Sequence, residues 1–281
     1  MAYNWYPGHM MKAKRAMQED IKLIDLLIEL LDARAPLSTR NPDIDTLGQG
    51  KGRLVLLNKA DLAEENVTKT WIEWFEAQGI TAIALDSRNS KNLRKIDNAV
   101  QVACKEKIER NRKKGILNRP MRAMVVGIPN VGKSTFINSY AKKTVAKTGN
   151  KPGVTKGKQW VRLGKNLELL DTPGILWPKI DDDEAGFHLA LLGSMNDDAL
   201  NRDDLVQRFI EKMNAEHPDM IQEMYNITGD MGFADALTSA ALKRNAIKTG
   251  GVPDTDRAVQ FILDDFRSGK IGKITLDHVK S

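Results

Sequence analysis

One stretch limits what this chain can fold into more than any other: Gly127-Ile128-Pro129-Asn130-Val131-Gly132-Lys133-Ser134, followed by Thr135. Gly, four residues, then Gly-Lys-Ser is the pattern of a phosphate-binding loop, which needs a strand before it and a helix after it. Met124-Val125-Val126 reads as a buried strand entering the loop, and residues 134–143 as the helix leaving it. The two glycines let the backbone wrap close to an anion. Backbone N–H groups and the helix N-terminus then point at phosphate. Lys133 is expected beside the β- and γ-phosphates, and the Ser134 hydroxyl on Mg²⁺. Asn130, Val131, Gly132 and Thr135 complete the lining.

A second chemical motif lies upstream. Residues 54–57 (Leu-Val-Leu-Leu) read as a buried strand that ends in Asn58-Lys59-Ala60-Asp61. Asn-Lys-x-Asp after a strand is the guanine-reading pattern. The Asp61 carboxylate would accept two hydrogen bonds, from the guanine N1–H and the exocyclic amino group. Adenine offers no such pair, so its entry would strand a buried carboxylate. Lys59 would lie along the base and Asn58 would brace the loop. The next strand, residues 80–85, ends in Asp86-Ser87-Arg88. Guanine-nucleotide proteins carry a Ser-Ala-Lys-like loop there, and the loose match places Ser87 and Arg88 at the base.

The other elements follow from periodicity. Residues 10–21 look helical, and residues 23–31 read as the first central strand. Residues 64–77 form an amphipathic helix whose Val67, Trp71, Trp74 and Phe75 are core, because helical spacing accounts for them. Residues 91–114 make one long helix with a basic end. Residues 142–158 are rich in Gly and Lys, which predicts a mobile loop. Thr155 within it is the candidate switch threonine for Mg²⁺ and the γ-phosphate. Residues 159–163 and 167–170 alternate around Gly164-Lys165-Asn166, a hairpin signal. The hairpin runs into Asp171-Thr172-Pro173-Gly174, where Asp171 would hold Mg²⁺ through water and the Gly174 N–H would sense the γ-phosphate.

Two domains are expected: an α/β domain over 1–178 and a small all-helical domain over 185–281, with Trp177-Pro178 at the boundary. The net charge of +6 is uneven. Residues 185–281 hold 11 Lys/Arg against 15 Asp/Glu, a net of −4, whereas residues 1–184 hold 32 against 22, a net of +10. Positive charge that travels with the nucleotide domain fits an anionic partner larger than a nucleotide, RNA first. Lys243, Arg244, Lys248, Arg267, Lys270 and Lys273 could form a basic strip on the acidic half. The lone Cys104 excludes an internal disulfide and a cysteine-based metal cluster. No apolar run approaches membrane-spanning length, and the N-terminus has no apolar signal core. A cytoplasmic protein is expected, with no membrane and no DNA partner, monomeric by itself.

The motifs stand in an unusual order. Asn58–Asp61 and Asp86-Ser87-Arg88 precede the phosphate loop, Thr155 and Asp171–Gly174, so the nucleotide domain is circularly permuted. That order, with Asn4-Trp5-Tyr6-Pro7-Gly8-His9-Met10, Asp32-Ala33-Arg34-Ala35-Pro36 and Asp171-Thr172-Pro173-Gly174-Ile175-Leu176-Trp177-Pro178, resembles the bacterial ribosome biogenesis GTPase A (YlqF-type) family over the whole chain. The resemblance implies a circularly permuted P-loop GTPase domain followed by a small all-helical domain. It also implies GTP/GDP and Mg²⁺ as cofactors, and the large ribosomal subunit precursor and its rRNA as partners, with hydrolysis stimulated by the particle.

Many small GTPases orient the attacking water with a Gln just after Asp-x-x-Gly, and that position here is Ile175, which cannot do so. His9 matches the family's proposed catalytic histidine and can orient a water near neutral pH; an N-cap or RNA-contacting role is the competing reading. Asn130 matches a loop position that helps bind K⁺ in similar GTPases. A nucleotide-gated RNA-binding scaffold is the alternative function. A small-molecule P-loop kinase is opposed by the guanine motif, and a membrane GTPase by the absence of an apolar segment.

Overall fold

The computed structural model describes residues 3–4, 17–89, 93–117, 119–141, 159–163, 166–171, 179–180, 182–195 and 200–279. They form two compact units, Met1–Gly186 with Thr275–Ser281, and Phe187–Ile274.

The first unit is built on a six-stranded sheet. Strand β1 is Tyr3–Asn4, β2 Leu26–Asp32, β3 Gly52–Asn58, β4 Thr81–Ala84, β5 Met121–Val126, β6 Gln159–Leu163, β7 Leu167–Asp171 and β8 Lys179–Ile180. The large sheet runs β4-β3-β2-β5-β7-β6, while β1 and β8 pair antiparallel as a separate ribbon. Every neighbour in the large sheet is parallel except β6 with β7. All seven residues of β2 are buried, as a strand covered on both faces requires.

Chain order fixes where a ligand belongs. From β2 the chain moves outward to β3 and β4, then returns to the other side of β2 with β5. In such sheets ligands bind outside the carboxyl ends of the strands, at this reversal. Asp32, Asn58, the residues after Ala84, Gly127 and Asp171 all stand at those ends, and Asp32 lies in register with Asn58.

Three elements differ from expectation. The first central strand starts at Leu26 rather than Leu23, because Ile21–Leu23 is a 3₁₀ turn with Leu23 exposed. Asp25, inside the expected run, is held at the sheet's amino end by Lys107 at 3.1 Å and Arg119 at 3.5 Å. The long helix is two, Leu93–Ala103 and Lys105–Lys113, broken where Cys104 leaves the helical region at φ −106°, ψ 12°. The aromatic helix, Glu65–Ala77, does pack as core: Trp71 and Phe75 are buried, with Val67 and Trp74 against them.

The third difference concerns the C-terminus. The helical domain was expected to run to residue 281, but residues from Thr275 onward pack with the first unit as a strap. Thr275 and Glu64 exchange hydrogen bonds of 3.0 and 3.2 Å. The Leu276 N–H donates to the Arg34 carbonyl at 2.6 Å. The Asp277 carboxylate accepts from the Ser38 N–H and hydroxyl at 2.7 and 2.8 Å, and the Trp71 indole donates to the Asp277 carbonyl at 3.0 Å. No amphipathic period marks such a segment; its bonds join its backbone and side chains to groups far away in sequence.

The second unit holds the helices Arg202–Glu216, Pro218–Tyr225, Phe233–Lys243 and Thr255–Ser268, and the end of Asp183–Leu191. Asn201 caps the first of these by accepting from the Asp203 and Asp204 N–H groups, and Asp254 caps the last. Helical spacing gives three apolar faces, and all their residues are buried except Phe261, which is partly so: Leu189, Leu192 and Met195; Leu205, Phe209 and Met213; Phe261, Ile262 and Phe266. His188 is also buried, between helices rather than at a site. A polar knot sits in this core. Asp265 is 1% exposed and accepts from Tyr225 Oη at 2.8 Å and Arg244 Nη2 at 2.5 Å. Burial first, then the bond to Asp265, pushes the Tyr225 phenol far above its ordinary range.

Of the suggested basic strip, Arg244 bonds to Asp265, Arg267 donates to the Leu191 and Ala190 carbonyls at 3.0 Å, and Lys248 pairs with Asp254 and Asp256, while Lys243, Lys270 and Lys273 are exposed.

Two substitutions test these packings. Asp265→Ala leaves Arg244 without its buried partner and is expected to cost about 3–5 kcal/mol. Circular dichroism melts of the full chain check this, and a loss below about 1 kcal/mol would mean the knot is not a stability centre. Asp277→Ala removes both Ser38 bonds and is expected to cost about 1–3 kcal/mol. It should also raise hydrogen exchange at the Ser38 and Leu276 amides, and unchanged exchange there would show that the carboxylate is not what fastens the strap.

Candidate functional site

At the carboxyl end of β5 the chain turns through Gly127 and Gly132 into the helix Lys133–Ala141. A Cβ on Gly127 would sit 2.6 Å from the Leu30 carbonyl oxygen. Gly132 lies at φ +98°, and a Cβ there would sit 2.5 Å from Asn58 Nδ2. Both positions therefore require glycine, the second twice over. Asn130 takes a left-handed φ of +63°, which Asn tolerates better than most residues. Lys133 Nζ folds back over the loop and donates to the Gly127 carbonyl at 3.0 Å. Ser134 and Thr135 stand partly exposed in the first turn of the helix.

The guanine motif is tied directly to this loop. Asn58 Nδ2 donates to the Val131 carbonyl at 2.6 Å. Its Oδ1 accepts from the Ser87 N–H at 3.0 Å and from the Ser87 hydroxyl at 2.6 Å. One buried side chain thus joins the ends of β3 and β4 to the phosphate loop. Lys59 also takes a left-handed φ, +58°. Its ammonium donates to the Asn130 carbonyl at 3.0 Å and pairs with Asp32 Oδ2 at 2.9 Å. Asp32 in turn receives a fork from Arg34, with Nε on Oδ1 and Nη2 on Oδ2, both at 2.9 Å. Burial works against the charge on Asp32, but Arg34 and Lys59 outweigh it and hold the carboxyl far below the usual range.

Asp61 is a third exposed and accepts from Arg88 Nη2 at 2.6 Å. Arg88 Nε and its backbone N–H both reach Asp86 Oδ1, at 3.0 and 2.9 Å. Desolvation opposes ionisation of Asp86, but these bonds prevail and keep its carboxyl below the ordinary value. Ser87 and Arg88 thus have their polar groups on Asn58, Asp61 and Asp86.

The structure therefore brings Asn58, Lys59, Ser87, Asn130, Val131 and Gly132 into one contact set, with Asp61 and Arg88 beside it and Lys133 across the loop. Asp171 ends β7 with its backbone paired to Val125 and Gln159, two residues before Gly127 in register. Its side chain, and His9, Thr155 and Gly174, lie outside the described residues. Spacing alone gives Asp32 and Arg34 no role; the available signal is a carboxylate and an arginine two residues apart, at the end of a mostly apolar strand.

The donor set suits a magnesium–nucleotide pair: a glycine cradle, a lysine and a helix N-terminus for phosphate, a serine and threonine at the first turn, and a carboxylate that can read N1–H. Among the described residues no group of His, Cys, Asp and Glu could hold a metal unaided.

Comparison with known proteins gives a concordant result. Residues 122–228 match the family described as 50S ribosome-binding GTPase, a span that begins at the phosphate-loop strand and excludes the guanine motif, as the permuted order demands. The chain is 44% identical over 278 residues to ribosome biogenesis GTPase A of Bacillus cereus, covering 99% of this chain and 94% of that protein. It is 32% identical to the protein of the same name from Thermotoga maritima, covering 98% and 94%. Among solved structures, GNP-bound YlqF from T. maritima superposes with a TM-score of 0.66 at 29% identity, over 95% of this chain and 98% of that one. A GDP-bound YlqF gives 0.67 at 28% identity, over 95% and 100%. With 44% identity over 99% of its length, the chain belongs to the ribosome biogenesis GTPase A family, with a circularly permuted GTPase domain followed by a helical one.

Proposed function

We propose that this chain hydrolyses GTP to GDP and phosphate in late assembly of the large ribosomal subunit, binding the precursor particle and its rRNA according to the nucleotide it holds. The observation that carries the reading is the direct bonding of the guanine loop to the phosphate loop through Asn58 and Lys59. A cradle so joined recognises base and phosphate as one ligand. The relatives' names supply the ribosomal context, and the net charge of +10 on residues 1–184 supplies the affinity for an anionic particle. Among the described residues no helix is long and apolar enough to cross a membrane; the proposed setting is the cytoplasm.

Phosphoryl transfer asks the protein for positioning and charge neutralisation rather than covalent chemistry. Lys133 exchanges its bond to the Gly127 carbonyl for β- and γ-phosphate oxygens. Asp61 reads the base while Arg88 holds its outer oxygen. Mg²⁺, held by Ser134, Thr155 and Asp171, would offset the phosphate charge, and K⁺ at Asn130 would add to it. The Gly174 N–H reports the γ-phosphate.

His9 orients the attacking water in this proposal; it follows the pairing of Asn4 with Lys179 by five residues, and Gly174 precedes that pairing by five.

The decisive assay is GTP hydrolysis in KCl with and without purified large-subunit precursors. Stimulation of at least about tenfold is expected, of the kind partner-supplied groups give GTPases. Binding of the particle without stimulation would favour a nucleotide-gated RNA-binding scaffold instead. His9→Ala is expected to lower the stimulated rate by about 100-fold with GDP affinity kept, and an unchanged rate would remove His9 from the chemistry. Replacing KCl by NaCl should slow hydrolysis several-fold; equal rates would remove K⁺ from the site.

A further inference from the structure

Lys59 is held by Asp32, and Asp32 by Arg34, two residues that belong to neither nucleotide motif. Asp32 is 1% exposed and carries two cations, Arg34 through a two-bond fork and Lys59 through one contact. Further bonds fix its place: the Asp32 N–H donates to Thr39 Oγ1 at 3.1 Å, and the Arg34 N–H donates to Asp32 Oδ1 at 3.1 Å. Thr39 Oγ1 donates to the Ala35 carbonyl at 2.7 Å, which closes the loop on itself. Arg34 is as buried as Asp32, so its guanidinium cannot reach a nucleotide and is not an arginine finger.

Burying such a pair is costly, and an apolar pair of similar volume would serve the sheet as well or better. The return lies in what the carboxylate presents. With Arg34 satisfying one side, Asp32 keeps an Oδ2 lone pair aimed at Lys59. The Lys59 ammonium has three protons. One is directed to Asp32 and one to the Asn130 carbonyl, so its stem is stretched across the gap between base loop and phosphate loop. The left-handed backbone at Lys59, which costs about 1 kcal/mol, is what turns the side chain back over the strand ends.

We infer that Asp32 and Arg34 are positioning residues of the guanine site, acting through Lys59 to set its affinity for guanine nucleotides. The inference rests on the reading of Asn58-Lys59-Ala60-Asp61 as the guanine loop. Without the carboxylate the ammonium is free to leave the gap and must be recaptured each time a nucleotide binds. Arg34 acts one step further back, by keeping the carboxylate ionised and fixed in rotation.

The test is a double-mutant cycle on the full chain, read by titration with fluorescently labelled GDP. Asp32→Asn and Lys59→Met are each expected to weaken GDP binding at least tenfold, and the double variant is expected to bind no more weakly than Lys59→Met alone. Arg34→Gln should weaken binding and Arg34→Lys should recover most of it; this pair also serves if Asp32→Asn fails to fold in a thermal melt. If Asp32→Asn weakens binding equally with and without Lys59, or leaves it unchanged, the inference is overturned while the guanine loop stands. If Lys59→Met leaves GDP binding unchanged, the guanine-loop reading falls and takes the inference with it.

Discussion

The nucleotide site depends on one buried amide. Asn58 gives a proton to the phosphate loop and takes two from Ser87, so three chain segments far apart in sequence are fixed by four atoms of one side chain. Aspartate would repel the Val131 carbonyl, and alanine would leave that carbonyl and the Ser87 hydroxyl unpaired, at about 1–3 kcal/mol for each buried group. Gly132 must be glycine because Asn58 lies against it. The left-handed turn at Lys59 follows, since the chain has to leave Asn58 without disturbing that contact.

The ionic contacts around this amide differ in kind. Arg88 with Asp61 is an exposed pair and contributes less than about 1 kcal/mol to folding; what it sets is the direction in which the Asp61 carboxylate faces. Asp32 with Arg34 and Lys59 is enclosed, where removing one partner is far more damaging than removing both. One arrangement tunes an orientation, and the other fixes a position.

Much of this was legible before any coordinates, because glycines and short polar motifs at strand ends leave few alternatives. Gly127, Gly132, Lys133, Asn58 and Asp61 declare their chemistry by type and spacing, and their non-standard order declares the permutation. Residues whose role comes from tertiary pairing were not legible. Asp32 and Lys59 are 27 positions apart, and only strand register makes them neighbours. The Thr275–Asp277 strap carries no periodic signal at all. The break at Cys104 was hidden because both flanking stretches are good helix formers. The side chains of Ser87 and Arg88 bond to protein groups that no spacing rule reveals.

The permuted strand order also has a consequence for synthesis. Strand β2 is the middle of the sheet, yet it leaves the ribosome first among the large-sheet strands. Its β3 edge is covered soon afterwards, but its β5 edge waits for Met121–Val126, 94 residues further on at Val126. At translation rates of about 5–20 residues per second, a fully buried strand stands with one edge open for roughly 5–20 s. The nascent chain is therefore most exposed to mispairing during the interval in which its guanine half exists and its phosphate half does not. A protein of this design depends on the pace of the machine that makes it.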